Sequence, residues 1–183
     1  MSEELVIRLC APTLAGLKTG SLFSAEYASK ASFQEELRAL NRMLVPKGLR
    51  ALNLRYGHQH ALVYIYRPAR LRQDLSGGEA QQMLDALGYD VTTPEGCVRR
   101  LAKKLQRQEE FPHEIGLFLS YPPEDVRGFM EHRAEGCKAS GLWKVYSDVE
   151  RATQIFRQYK RCTEIYCRCW RNGISIDRLT VAG

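Results

Sequence analysis

Hydrophobic positions along this chain follow two rhythms, and each predicts its own kind of element. Leu37, Leu40, Met43 and Leu44 recur at helical spacing behind Ser32-Phe33-Gln34-Glu35, a capping box whose hydroxyl and carboxylate satisfy the first free amides of a helix. Pro46-Lys47-Gly48 ends that helix. Leu52, Leu54 and Tyr56 then alternate with Asn53 and Arg55, the pattern of a half-buried strand. After the turn Gly57-His58-Gln59, the run from Ala61 to Tyr66 is apolar throughout, as a central strand would be, and Pro68 closes it. Ser76-Gly77-Gly78-Glu79 repeats the capping spacing ahead of Met83, Leu84 and Leu87. Thr93-Pro94 supplies a cap and an N1 proline for a further helix, whose body from Val98 to Gln108 turns Leu101 and Leu105 inward and Arg100, Lys103, Lys104 and Arg107 outward.

The stretch Pro112 to Asp148 reads as the centre of the fold. Residues 114–120, apolar from Ile115 to Leu119, predict a short buried strand that passes through Pro122-Pro123 into a helix with Glu124 and Asp125 in its first turn, where acids complement the helix dipole. Gly141 to Tyr146 predicts a second strand leading into the longest helix, which starts at the box Ser147-Asp148-Val149-Glu150. Along that helix Ile155, Phe156, Tyr159, Cys162, Tyr166 and Trp170 recur at steps of three and four, until Asn172-Gly173 stops it. Ile174 to Val181 reads as a final strand. At the other end, Leu5 to Cys10 fits a strand or a single helical turn equally, and Thr13 to Phe23 reads as a close-packed turn region. With no internal repeat and no linker, residues 1–183 are expected to be one α+β domain: a mixed or antiparallel sheet, holding the 50–66 hairpin and the 114–120 strand, covered by several helices.

Composition narrows the classes of function. With 44% hydrophobic and 26% charged residues the chain is globular rather than disordered. No apolar run approaches the ~20 residues that cross a bilayer. The first residues carry Glu3 and Glu4 instead of a basic leader, so a cytoplasmic location without membrane attachment is expected. In that setting the six cysteines are expected to be reduced thiols. The net charge of +6 leans toward the C-terminal half and permits an acidic partner.

Candidate chemistry is sparse. Cys162, Cys167 and Cys169 lie on the long helix, where about 100° per residue sets Cys167 and Cys169 roughly opposite each other, so no metal site is expected there. His113-Glu114 lacks the second histidine of a zinc helix, since Leu117 stands in its place. The glycine spacings match neither a P-loop nor a dinucleotide fingerprint, and no residue pattern names a cofactor. Cys10 precedes a turn whose amides would lower a thiol pKa, and His113, steadied by Glu114, is the best base for it. Arg99, Arg100, Lys103, Lys104 and Arg107 form a cationic helix face suited to nucleic acid or an acidic protein.

Three segments in order, Cys10 to Gly20, His113 to Phe129, and Trp143-Lys144-Val145-Tyr146, resemble an uncharacterised bacterial family found mainly in anaerobes, domain-of-unknown-function family 3793. The similarity spans nearly the whole chain. The resemblance implies no activity, but it directs attention to the motif residues. The position before the cysteine, often histidine in that family, is Leu9 here, which leaves His113 as the imidazole partner. The expected site is therefore a thiol-containing small-molecule, redox or metal-handling pocket. Cys10, His113 and Glu114 carry its chemistry, and Thr13, Lys18, Lys144 and Tyr146 bind the ligand. The alternative is a non-enzymatic binding module using the cationic face at 99–107.

Overall fold

The computed structural model describes residues 1–107 and 111–183. Its spine is a three-stranded antiparallel sheet in the order β1 (Gly20–Glu26), β3 (His60–Tyr66), β2 (Arg50–Tyr56). Central β3 is apolar because both its faces are covered. Tyr64 and Tyr66 point into one core with Leu71, Leu84, Leu101 and Phe118, while Val63 and Ile65 point into the other with Val6, Leu14, Phe33 and Leu49. The first core is roofed by α3 (Pro68–Leu75), α4 (Gly78–Ala86), α5 (Pro94–Gln106), α6 (Ile115–Phe118) and α7 (Pro123–His132). The second lies under α1 (Glu3–Leu14), α2 (Lys30–Leu44), the end of α8 (Val149–Arg171) and α9 (Ile176–Leu179). The result is 56% helix and 14% strand, an α+β architecture as expected.

The 50–66 hairpin forms as expected, with one irregularity. Asn53 faces Val63 but Arg55 faces Leu62, so a bulge at Leu54 breaks the alternation. Leu52 and Leu54 pack into the first core, whereas Tyr56 crosses to the second, against Phe33 and Tyr27. Thr93 caps α5 as the sequence predicts, accepting from the Gly96 amide at 3.1 Å. Gln108, the last residue of the helix body expected there, lies outside the described residues.

Several expectations need correction. Residues 114–120 are no strand: Ile115–Phe118 is a short helical turn that pairs with no sheet. An apolar run buried on every side has no period, so helix and strand read alike. Residues 174–181 form the turn of α9, capped by Ser175, rather than a final strand. Thr13 to Phe23 is not simply a turn region, since β1 begins at Gly20. Leu5 to Cys10 belongs to a full helix, capped by Ser2 with Glu3 and Glu4 in its first turn. Two of the expected caps shift as well. Ser29, not Ser32, caps α2, and Asp148, the residue after Ser147, caps α8. The Ser76 box makes no side-chain cap, because Gly77 occupies the N-cap. The 141–146 strand shrinks to β5 (Lys144–Val145), paired with β4 (Ala139–Ser140) in a two-residue ribbon. No described helix is long and apolar enough to cross a membrane.

Candidate functional site

The sequence-marked residues gather around two cavities that share an aromatic partition. Tyr121 stacks on Trp143 with ring centres 4.8 Å apart, and Phe156 meets Trp143 edge-on at 4.5 Å. Trp143 is delivered by the β4–β5 ribbon and Phe156 by α8, and at Gly141 any Cβ would collide with the Phe156 ring. The ribbon therefore lies flush on the helix. Tyr121 donates from its hydroxyl to the Leu142 carbonyl at 3.2 Å, which ties the partition to the ribbon's tip.

The first cavity, about 220 Å³, is lined by His113, Gly116, Tyr121, Asp125, Phe129, Trp143 and Lys144, among others. Its floor is set by Asp125, at the start of α7. This carboxylate accepts from Trp143 Nε1 at 2.7 Å and from the Tyr146 amide, the Ser147 amide and Ser147 Oγ, each at 2.8 Å. Burial works to raise its pKa, but these four donors outweigh it and hold the carboxyl below its ordinary range. Asp125 is thus a saturated anchor, which the sequence reading mistook for a simple dipole complement. His113 packs edge-on against Phe129 at 5.0 Å. Lys144, half-buried and also lining the cavity, has no ion-pair partner among the described residues. Tyr146, its neighbour, turns away from the cavity and donates its hydroxyl to the Arg133 carbonyl.

Glu114, next to His113, is almost fully buried and faces α5. It accepts from Tyr89 at 2.8 Å and pairs with Lys104 at 2.6 Å. Lys104 is therefore turned inward, over the Tyr89 ring, which corrects its placement on the outer cationic face. Arg99, Arg100, Lys103 and Arg107 do face outward.

The second cavity, about 650 Å³, opens on the other side of the partition between α1, α8 and the ribbon tip. Lys18 lines it, with Leu9, Pro12, Ser21, Leu142, Phe156 and Tyr159. Behind this wall is Cys10, with no exposure at all. Burial pushes its thiol up to about 12, against the opposing pull of Lys18 and a hydrogen bond with Ser21. Ser21 Oγ lies 2.8 Å from Thr13 Oγ1, completing a small enclosed polar cluster. The structure thus brings Cys10, Thr13 and Lys18 together and sets His113 with Lys144, and neither cavity is lined by Cys10. The walls formed by Tyr121, Phe129 and Phe156 were missed, because aromatic residues among apolar neighbours read as core.

Cys162 is buried on α8 while Cys167 and Cys169 are half-buried farther along the same continuous helix. Among the described residues no three His, Cys, Asp or Glu side chains gather as a metal site. No curated protein and no solved structure matches the chain. A family described as a protein of unknown function, DUF3793, matches residues 6–180, in agreement with the resemblance carried by the three motifs. That match runs from α1 through α9, across both cavities and the partition between them, and the chain therefore belongs to the DUF3793 family.

Proposed function

We propose that this protein binds a small molecule with a planar apolar body and one anionic group in the cavity beside Trp143. The observation that carries this reading is the pairing of an aromatic enclosure with an uncompensated cation. Tyr121, Phe129 and Trp143 offer ring faces and edges, while Lys144 supplies an ammonium that no described acid neutralises. Asp125 lines the same cavity but makes no ion pair with Lys144, its oxygens being turned to four neutral donors. The volume of about 220 Å³ exceeds the roughly 150 Å³ of an apolar cavity that takes up benzene, so one ring with a short acidic substituent fits. His113 adds a donor or acceptor at the same wall. Glu114 and Cys10 stand behind the two cavities as supports, and a cytoplasmic, thiol-reducing setting agrees with the six unpaired cysteines.

Binding of benzoate, phenylacetate and their neutral amides, followed by Trp143 fluorescence in a Trp170→Phe background, tests this. The acids are expected to bind about tenfold more tightly than the amides, and Lys144→Met is expected to erase that difference while leaving the amides unaffected. Equal affinity for acid and amide, or no response at Trp143, would refute the reading.

A second reading is a nucleic-acid or acidic-protein module. It is favoured by the outward set Arg99, Arg100, Lys103 and Arg107, none of which has an ion-pair partner among the described residues. An RNA affinity that stays level as salt rises would exclude it, since phosphate contacts release counterions.

A further inference from the structure

Two of the half-buried lysines have acids, Lys104 with Glu114 and Lys47 with Asp177. Lys18 has none among the described residues. Its Nζ lies instead over the rings of Tyr121 and Tyr159, 5.6 and 6.0 Å from their centres, half-buried at the wall of the 650 Å³ cavity. The neighbouring surface is apolar, made by Leu9, Pro12, Leu142 and Phe156. Burial lowers the Lys18 pKa from the usual 10.5 to about 8, although the nearby Cys10 works the other way. About a tenth of the amine is then neutral at pH 7, against a few parts in ten thousand for an ordinary lysine. The remaining titratable groups do not compete for this role. The Cys10 thiol is enclosed and held protonated, burial raises the pKa of Tyr121 and Tyr159, and Arg8, Lys160 and Glu164 stand among the cavity's other lining residues.

We propose that Lys18 is a nucleophilic amine that forms an imine with the aldehyde or ketone group of a small, largely apolar molecule seated in this second cavity. The nitrogen lone pair attacks the carbonyl carbon and the C=O π pair moves to oxygen. A proton passes from nitrogen to oxygen, giving a carbinolamine. The hydroxyl then takes up a second proton and leaves as water, while nitrogen loses its last proton and the C=N bond forms. One amine and one carbonyl give one imine and one water, with no change in oxidation state. The apolar wall serves the reaction by raising the neutral fraction of the amine and by excluding water from the product. This site is separate from the cavity beside Trp143, and the two readings stand or fall independently.

The test uses the unaltered full chain with benzaldehyde and sodium cyanoborohydride near pH 7.5, mapping alkylated lysines by peptide mass spectrometry over time. Lys18 is expected to be modified about tenfold faster than Lys103 and Lys138, both of which are exposed and outside this cavity. Lys18→Arg is expected to remove the fast phase and leave the slow ones. A Lys18 rate no greater than that of the exposed lysines overturns the proposal, and that comparison needs no variant to fold. Protection of Lys18 by benzoate without imine trapping would show a carboxylate site instead, and would overturn it equally.

Discussion

Asp125 shows how much can hang on one carboxylate. It is 2% exposed and joins the first turn of α7 to three residues of the segment that carries Trp143 into the partition. Because its folded pKa lies below the ordinary value, the stability it contributes is fully present above the unfolded pKa and is lost as pH falls through the folded one. Asp125→Asn keeps the size and loses the charge. It is expected to cost about 2–3 kcal/mol at pH 7 in urea unfolding, with the gap to the parent narrowing as pH falls below the ordinary carboxylate pKa of about 4. A gap that stays constant with pH would mean that charge is not what holds the segment. At this scale the sequence was informative about chemistry and silent about surroundings. It marked Lys18, His113 and Lys144 through the three motif segments that hold them, yet the enclosure of Cys10 depends on Thr13, Ser21 and the helices around them. A residue's type says what it can do, while its access to solvent is decided by parts of the chain far from it.

Elements were legible wherever local chemistry and period agreed. Thr93-Pro94 announced α5, and the unbroken apolar run announced β3. β1 went unseen because its inward positions include Gly20, Ser21 and Ala25, too small or polar to make an alternating pattern. The turn at 115–118 failed for the opposite reason, being apolar on all sides. Close approach between elements is equally hidden from the sequence, as Gly128 in α7 illustrates. An exposed helix would gain about 1 kcal/mol from Gly→Ala. Here the new Cβ would lie 2.5 Å from Cγ of Tyr146, and overpacking of that kind costs about 1–3 kcal/mol. Gly128→Ala is therefore expected to destabilise by about 1 kcal/mol or more. Combining it with Tyr146→Ala should cost less than the sum of the two single changes, measured as a double-mutant cycle. Additive values would show that the helix simply moves away.

For the molecule as a whole, β3 is the member that both cores share. Ile65 is fully buried on the α1–α2 face, while its neighbour Tyr64 reaches through the other core to donate to the Phe118 carbonyl at 2.6 Å. Ile65→Ala is expected to cost about 3 kcal/mol. The two tryptophans report from different places, Trp143 from the partition and Trp170 from the α1–α2 face. Both should show the same shift in denaturant midpoint if the chain unfolds as one unit, whereas separate midpoints would divide the fold in two. The pairing of α1 with α8 sets a condition on synthesis. Helix α1 beds against a partner that ends at Arg171, about 157 residues after Leu14. At about 5–20 residues per second on the ribosome, the greasy side of the first helix waits roughly eight to thirty seconds for its cover. A nascent chain stalled before residue 149 should therefore be a chaperone client and a protease substrate, and release from both should coincide with the emergence of the last long helix.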